Sequence, residues 1–445
     1  MPNAFVFDAN RCTGCQACRL ACSIENDLQP EKAWRRVETF NPDRHPVAPS
    51  FHLSLACNHC SEPVCMYACP ALAYGRDVET GAVLLDSDRC IGCKYCSWAC
   101  PYDAPIYYEP DGVMSKCTFC AHRLKEGRKP ACAALCPTGA LDFADVPETE
   151  LVQEVEGLPS TDLGPRIRVI PLSQDRRLPD IAERALDGEL SERTAPARIS
   201  LASEWSLALF TTAAATLVGL VAGAAAGRLS LSPATFVVTA GLTFGLAAAH
   251  LGRPARAFRA ILNLRRSWLS REIALLTAFA GSATLYLLFD PGVPVPGAVV
   301  VGVGLAGLHA TDRVYSVIRN GTPAQLHSAG VLWTGLLLSG LLAGIEWLAL
   351  PVFLLKTVLY VRRKLRRGGL GLPVRPALTT ARIVVGFLLP PALWLAVPGA
   401  PLGWIVVPLV LGELIDRCEY YDELEVESPA RSMAIELETL IARAA

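Results

Sequence analysis

The chain has 445 residues, a net charge of -1 and 52% hydrophobic residues, which is room for two or more domains. Its near-neutral charge and pI of about 6.7 leave no basis for a polyanionic partner such as nucleic acid. The mean hydropathy of +0.33 is unevenly spread: residues 1–200 are polar and rich in cysteine, whereas 204–417 are mostly Leu, Ala, Val and Gly, so a soluble part precedes a membrane part.

In chain order, Ala4-Phe5-Val6-Phe7-Asp8 reads as a strand entering the first of four cysteine groups. They are Cys12-x2-Cys15-x2-Cys18-x3-Cys22, Cys57-x2-Cys60-x4-Cys65-x3-Cys69, Cys90-x2-Cys93-x2-Cys96-x3-Cys100 and Cys117-x2-Cys120-x11-Cys132-x3-Cys136, and they hold sixteen of the 17 cysteines. Thiolate is the ligand of iron–sulfur clusters, and four per cubane makes sixteen enough for four 4Fe–4S clusters. A Cys-x2-Cys-x2-Cys loop wraps one cubane, and the fourth cysteine of the group serves the neighbouring cluster. A disulfide framework needs an oxidising compartment, and no signal peptide opens the chain. Zinc takes paired Cys-x2-Cys units instead of runs of three with a trailing Cys-Pro. The pattern is that of iron–sulfur.

Between the groups, the insert 23–56 carries Trp34-Arg35-Arg36-Val37 and the strand-like Phe51-His52-Leu53-Ser54-Leu55. Gly81-Ala82-Val83-Leu84-Leu85-Asp86 is a second strand entering the third group, so strand, loop and helix repeat as in a two-cluster ferredoxin. The basic stretch from His122 to Lys129 reads as a solvated loop, with partner contact as the alternative. Residues 145–200 lack periodicity and read as a wrap-around tail and linker.

Eight hydrophobic segments follow, near 205–226, 233–251, 272–289, 297–318, 327–345, 347–361, 381–397 and 402–417, against roughly 20 apolar residues for a full span. Ionisable groups within membrane segments are costly and mark function. Glu204, His250, Glu272, Arg313 and Glu413 map to one membrane face, and an imidazole among them suits proton exchange with a quinone head group. No histidine pair stands at haem-ligand positions, so haem is not expected.

Taken together, Arg11-Cys12-Thr13-Gly14-Cys15, Cys57-Asn58-His59-Cys60 and Asp88-Arg89-Cys90-Ile91-Gly92-Cys93 resemble the iron–sulfur subunit of DMSO reductase-type molybdoenzymes. Glu204-Trp205-Ser206-Leu207, His250-Leu251-Gly252-Arg253-Pro254, Arg313-Val314-Tyr315 and Gly412-Glu413-Leu414-Ile415 resemble the anchor subunit of the same enzymes. Those subunits are normally separate chains, so the sequence resembles a fusion.

The resemblance implies an α+β ferredoxin-like four-cluster domain followed by an all-α eight-helix transmembrane bundle. The expected divisions are 1–145 for the clusters, 146–203 for tail and linker, 204–418 for the anchor and 419–445 for a C-terminal tail. It also implies four ligand sets: Cys12, Cys15, Cys18 and Cys136; Cys22, Cys117, Cys120 and Cys132; Cys69, Cys90, Cys93 and Cys96; and Cys57, Cys60, Cys65 and Cys100. Some relatives bind a 3Fe–4S cluster by replacing the residue at the position of Cys93, and the cysteine here implies cubanes throughout. The first set is expected to face the molybdenum subunit, and the Cys57 set to face the quinone site. His250, Arg256, Glu272, Arg313 and Tyr315 are the implied quinone residues.

The implied role is electron transfer between the membrane quinone pool and a molybdopterin (bis-MGD type) catalytic subunit, with membrane lipid around the anchor. The substrate half-reaction belongs to the partner; this chain carries the quinone-reactive site. Quinone-linked sulfite dehydrogenase, polysulfide reductase and hydrogenase-type complexes are the alternatives. Loops 252–271, 313–326 and 362–382 hold 15 Lys and Arg, against Arg228 alone on the other side, which places the iron–sulfur domain on the cytoplasmic face of the inner membrane. The run from Arg362 to Arg367 has no evident role in docking or quinone binding, and so weighs most.

Overall fold

The first strand, β1 (Asn3–Asp8), buries Ala4, Phe5 and Phe7 and pairs on both edges. The computed structural model describes residues 3–151, 158–173, 199–289, 294–318, 326–369, 374–397, 399, 401–424 and 426–444. The chain forms two compact units, residues 1–197 with 426–445, and residues 198–425.

In the first unit, α1 (Ala17–Glu25), β2 (Arg36–Phe40), β3 (Phe51–Leu55), α2 (Val64–Ala68), β4 (Tyr74–Arg76), β5 (Val83–Leu85), α3 (Tyr95–Ala99), β6 (Ile106–Tyr108), β7 (Val113–Ser115), α4 (Ala121–Lys125), α5 (Ala131–Ala134), β8 (Leu141–Asp145) and β9 (Ile167–Ile170) follow in turn. β1 lies antiparallel to β8, with Phe5 opposite Phe143, and parallel to β9, with Phe7 opposite Val169. The tail read from sequence therefore supplies a strand. The pairs β2–β3, β4–β5 and β6–β7 are short antiparallel ribbons. The core joins Phe5, Phe119 and Phe143, whose rings meet edge to face at 5.0–5.4 Å.

The second unit holds α6 (Leu201–Ala225), α7 (Pro233–Ala249), α8 (Trp268–Phe289), α9 (Pro294–Val314), α10 (Val331–Ala343), α11 (Glu346–Gly369), α12 (Pro376–Ala381), α13 (Leu389–Ala396) and α14 (Leu402–Glu423). A π-helical stretch, Arg382–Leu388, joins α12 to α13. There the backbones of Gly386 and Gly412 approach so closely that a Cβ on Gly412 would stand 2.4 Å from the Gly386 Cα. After α14 the chain enters α15 (Pro429–Ala444), which packs on β2 in the first unit's own core through Met433.

Among the described residues, three helices are long and apolar enough to cross a membrane: Leu201–Ala225, Trp268–Phe289 and Pro376–Ala396. By length and composition a fourth span is added if α7 and the 3-10 helix Pro254–Ile261, bent by 100°, count as one. Helix α11, at the segment expected near 347–361, carries the buried Lys356; α14 buries Glu413, Asp416, Arg417 and Glu419. Their apolar character is broken by charges that face partners within the bundle.

Candidate functional site

One backbone feature repeats in all four cysteine groups. The residue before the second cysteine takes a positive φ: Gly14 at 71°, His59 at 44°, Gly92 at 70° and Phe119 at 63°. Glycine does this without steric cost; His59 and Phe119 take it while stacked on each other at 4.1 Å. The turn aims amides at sulfur. The N–H groups of His59, Gly92 and Phe119 donate to the Sγ of Cys57, Cys90 and Cys117 at 3.4, 3.4 and 3.3 Å. Ala73 and Leu141 do the same for the trailing Cys69 and Cys136, at 3.3 and 3.4 Å. Such bonds favour the thiolate form.

The fold gathers the cysteines across groups. Cys12 feels the charges of Cys15, Cys18 and Cys136. Cys22 leaves its own group to stand by Cys120 and Cys132, and Cys117 lies within reach of Cys22. Cys93 and Cys96 neighbour Cys69 and Cys90, and Cys60 neighbours Cys57, Cys65 and Cys100.

The donors of these sets are all cysteines, the ligand type of iron–sulfur clusters. Among the described residues, no three His, Cys, Asp or Glu side chains converge on a single-metal site. Instead Cys57, Cys60, Cys65 and Cys100 line one pocket, together with His59, Tyr102 and Lys116. Burial pushes the Cys22 thiol up to about 12 and raises Cys60, Cys65, Cys93, Cys96 and Cys117 as well. Buried thiols of this kind become thiolates only when metal draws off the proton. Cys136 differs: although burial opposes it, amide donors led by Leu141 draw it below its ordinary value.

Electrostatic reach links the sets in series: Cys18 to Cys22, Cys117 to Cys57, and the buried Tyr74 to Cys65 as well as to Cys69 and Cys96. The Cys57 set is therefore interior, and the Cys69/Cys90/Cys93/Cys96 set ends the series. Each trailing cysteine crosses to another loop, so the second and third groups interlock and Cys117 joins the fourth group to the second.

Two buried cations stand among these sets, and spacing alone gives no sign of them. Arg35 donates to the Ser54 carbonyl and hydroxyl at 3.2 and 3.0 Å and stacks over Phe5 at 4.5 Å. The Lys116 ammonium donates to the carbonyls of Val83 and Cys117 at 2.5 and 2.8 Å. His59 is fully buried and held neutral, chiefly by burial and then by Lys116; its Nδ1 accepts from the Val83 amide at 3.0 Å.

In the second unit, Thr311 donates to the buried Glu272 at 2.9 Å, and Arg313 lies over the Trp268 ring at 4.9 Å. Glu272 stands near the start of α8 and Arg313 near the end of α9. Tyr315 hydrogen-bonds Tyr421, and the Arg417 guanidinium lies 4.7 Å from the Tyr315 ring. Tyr421 is within electrostatic reach of both Glu204 and Glu272. His250 caps α7, and Arg256 sits on the 3-10 helix beyond, which packs on α8. Glu413 goes elsewhere, into ion pairs with Lys356 and Arg382 at 2.8 Å each. It is thus a member of a buried charge network and does not join Glu272. Lys356 escaped the sequence reading, and Arg382 entered it only as one of the basic residues of 362–382, although each is a charge within an apolar segment.

The basic run also needs correction. Arg363 pairs with Asp416 at 3.0 Å, Lys364 with Glu423 at 2.7 Å and Arg367 with Glu423 at 3.8 Å. One turn of α11 lies against one face of α14, so these charges serve the fold and weigh less as a topology signal.

Residues 49–146 match the model of a 4Fe-4S dicluster domain, and residues 201–299 match that of the DMSO reductase anchor subunit (DmsC). Over 152 residues the chain is 44% identical to a polypeptide of the anaerobic dimethyl sulfoxide reductase of Escherichia coli (strain K12), an alignment covering 32% of this chain and 74% of that one. The chain belongs to the DMSO reductase iron–sulfur subunit family. In it the iron–sulfur part of that family is fused to the anchor part. Other relatives of this DMSO reductase-type subunit are a sulfite dehydrogenase subunit of Allochromatium vinosum, 39% identical over 171 residues (33% of this chain, 71% of that one), and the thiosulfate reductase electron transfer subunit PhsB of Salmonella typhi, 40% identical over 147 residues (32% and 76%).

Proposed function

We propose that this chain is the electron-transfer and membrane-anchor subunit of a molybdopterin oxidoreductase. It holds four 4Fe–4S clusters on the sixteen grouped cysteines and exchanges electrons with membrane quinone. The observation that carries this reading is the crossing of Cys22, Cys69, Cys100 and Cys136 into the sets of other groups, on a chain that also carries an anchor domain. When bound, a 4Fe–4S cluster supplies one-electron storage, and a series of such places forms a conduit.

The protein's own part is to hold the sites and handle protons. His250, Arg256, Glu272, Arg313 and Tyr315 form the quinone site of an eight-helix bundle in the inner membrane. His250 hydrogen-bonds a quinone oxygen and exchanges its proton. The partner is a bis-MGD catalytic subunit acting on an S- or N-oxide. Sulfite is the second reading, supported by the sulfite dehydrogenase relative and by the six arginines of 252–271, which favour a cytoplasmic iron–sulfur unit.

The test is the purified complex under anaerobic conditions. About sixteen irons per chain are expected, with reduction of the clusters by a quinol analogue. In His250→Ala the iron stays, quinol no longer reduces the clusters, and activity with an artificial dye persists. An iron content of about eight sinks the four-cluster reading, and quinone turnover at the parental rate in His250→Ala sinks the site.

A further inference from the structure

Arg35 is 2% exposed and Lys116 3%. A buried charge is costly unless opposite charge compensates it, and among the described residues neither cation has a carboxylate ion-pair partner. What surrounds them is sulfur. Arg35 Nη1 donates to the Ser54 hydroxyl at 3.0 Å, which itself stands 3.3 Å from the Cys18 sulfur, and its guanidinium lies in the field of Cys132, Cys117, Cys18 and Cys22; its Nε has no hydrogen-bond partner among the described residues. The Lys116 ammonium donates to the Cys117 carbonyl at 2.8 Å and lies within electrostatic reach of Cys117 and Cys65. Arg35 therefore stands at the junction of the Cys12 and Cys22 sets, and Lys116 at the junction of the Cys22 and Cys57 sets. Within the set of Cys22, Cys117, Cys120 and Cys132, Cys117 lies within electrostatic reach of both cations.

Resting on the four-cluster reading above, we propose that Arg35 and Lys116 are electrostatic tuning residues, which raise the reduction potential at the Cys22/Cys117/Cys120/Cys132 site selectively. An electron arriving there from a neighbouring set adds one negative charge in a low-dielectric interior, and leaves for the next set without bond making or proton transfer. Two fixed positive charges beside the sulfurs stabilise that added charge, since net charge and hydrogen bonding to sulfur set such potentials. The Cys69 set is reached from the Cys57 set past Tyr74, and less of the effect is expected there.

The test is a redox titration of the intact complex followed by EPR, with the signal of this site assigned by its loss in Cys120→Ser. In Arg35→Gln the reduced-to-oxidised ratio at fixed solution potential falls at least tenfold at this site, about 59 mV for one electron. The Cys12-set signal moves less and the Cys69-set signal stays. Lys116→Gln lowers this site and the Cys57 set together. Arg35→Lys, keeping the charge, holds the parental midpoint. Fewer than four signals in the parental complex is failure of the cluster reading, whereas four signals with unmoved midpoints in both Gln variants overturns the tuning proposal. An Arg35→Lys shift as large as that of Arg35→Gln, or an equal shift at the Cys69 set, overturns it too. Where Arg35→Gln loses iron, Lys116→Gln decides alone: an unmoved midpoint there is refutation.

Discussion

Lys356 and Glu413 meet as a 2.8 Å ion pair with side chains 0% and 2% exposed. Thr334 donates to the same carboxylate at 2.7 Å, Arg382 binds its other oxygen at 2.8 Å, and Asp416 holds Arg363 at 3.0 Å. Three cations and two carboxylates thus share one interior where α11, α14 and the π-helical stretch meet. Removing one member strands the others. Glu413→Ala is expected to destabilise the second unit by about 3–5 kcal/mol, and Lys356→Met combined with Glu413→Leu to recover only part of that, because Arg382 still loses its 2.8 Å partner. Thermal unfolding in detergent checks both; an unchanged melting temperature in Glu413→Ala removes the pair from the account of stability.

The last helix is part of the first unit. Met433 lies in the core that includes Phe5, Phe40 and Leu141, with Leu437 and Leu440 packed on its edge. Met433→Ala should cost about 2–5 kcal/mol, read as faster iron loss on warming. Deleting residues 429–445 should do more. Iron retention equal to that of the parent would show that the helix is dispensable.

Cys93 sits in the terminal set, beside Cys69 and Cys90. Cys93→Ser is expected to leave the other three sets loaded and to give a 3Fe–4S signal at this place alone. Loss of every cluster signal would mean that the sets assemble cooperatively and that the series is a single folding unit.

A reporter active only outside the cytoplasm should be silent when fused after Ala445 and active when placed within 290–296. The opposite pattern would put the iron–sulfur unit on the outer face. Because Arg363, Lys364 and Arg367 are paired with acids of α14, neutralising all three should perturb folding more than topology.

The cysteine spacing alone determined a great deal, because a cluster loop is local. Ligands two and three residues apart are confined by a few dihedrals, so Cys12-x2-Cys15-x2-Cys18 and its counterparts specify their turns before the rest of the chain folds. Hydropathy likewise located the long helices of the second unit, since each segment must hide its backbone and its apolar side chains on its own. The tertiary structure decided what depends on distance across the chain. It set the order of the four sets, with the Cys57 set inside, because that order rests on Cys117 meeting Cys57. It took Glu413 away from Glu272 and gave it to Lys356 and Arg382, because a helix face read alone shows where a charge points but not which neighbour answers it. And it buried Arg35 and Lys116 among the thiols, a placement no pattern reveals, since a cation in a loop looks solvated until the fold closes over it.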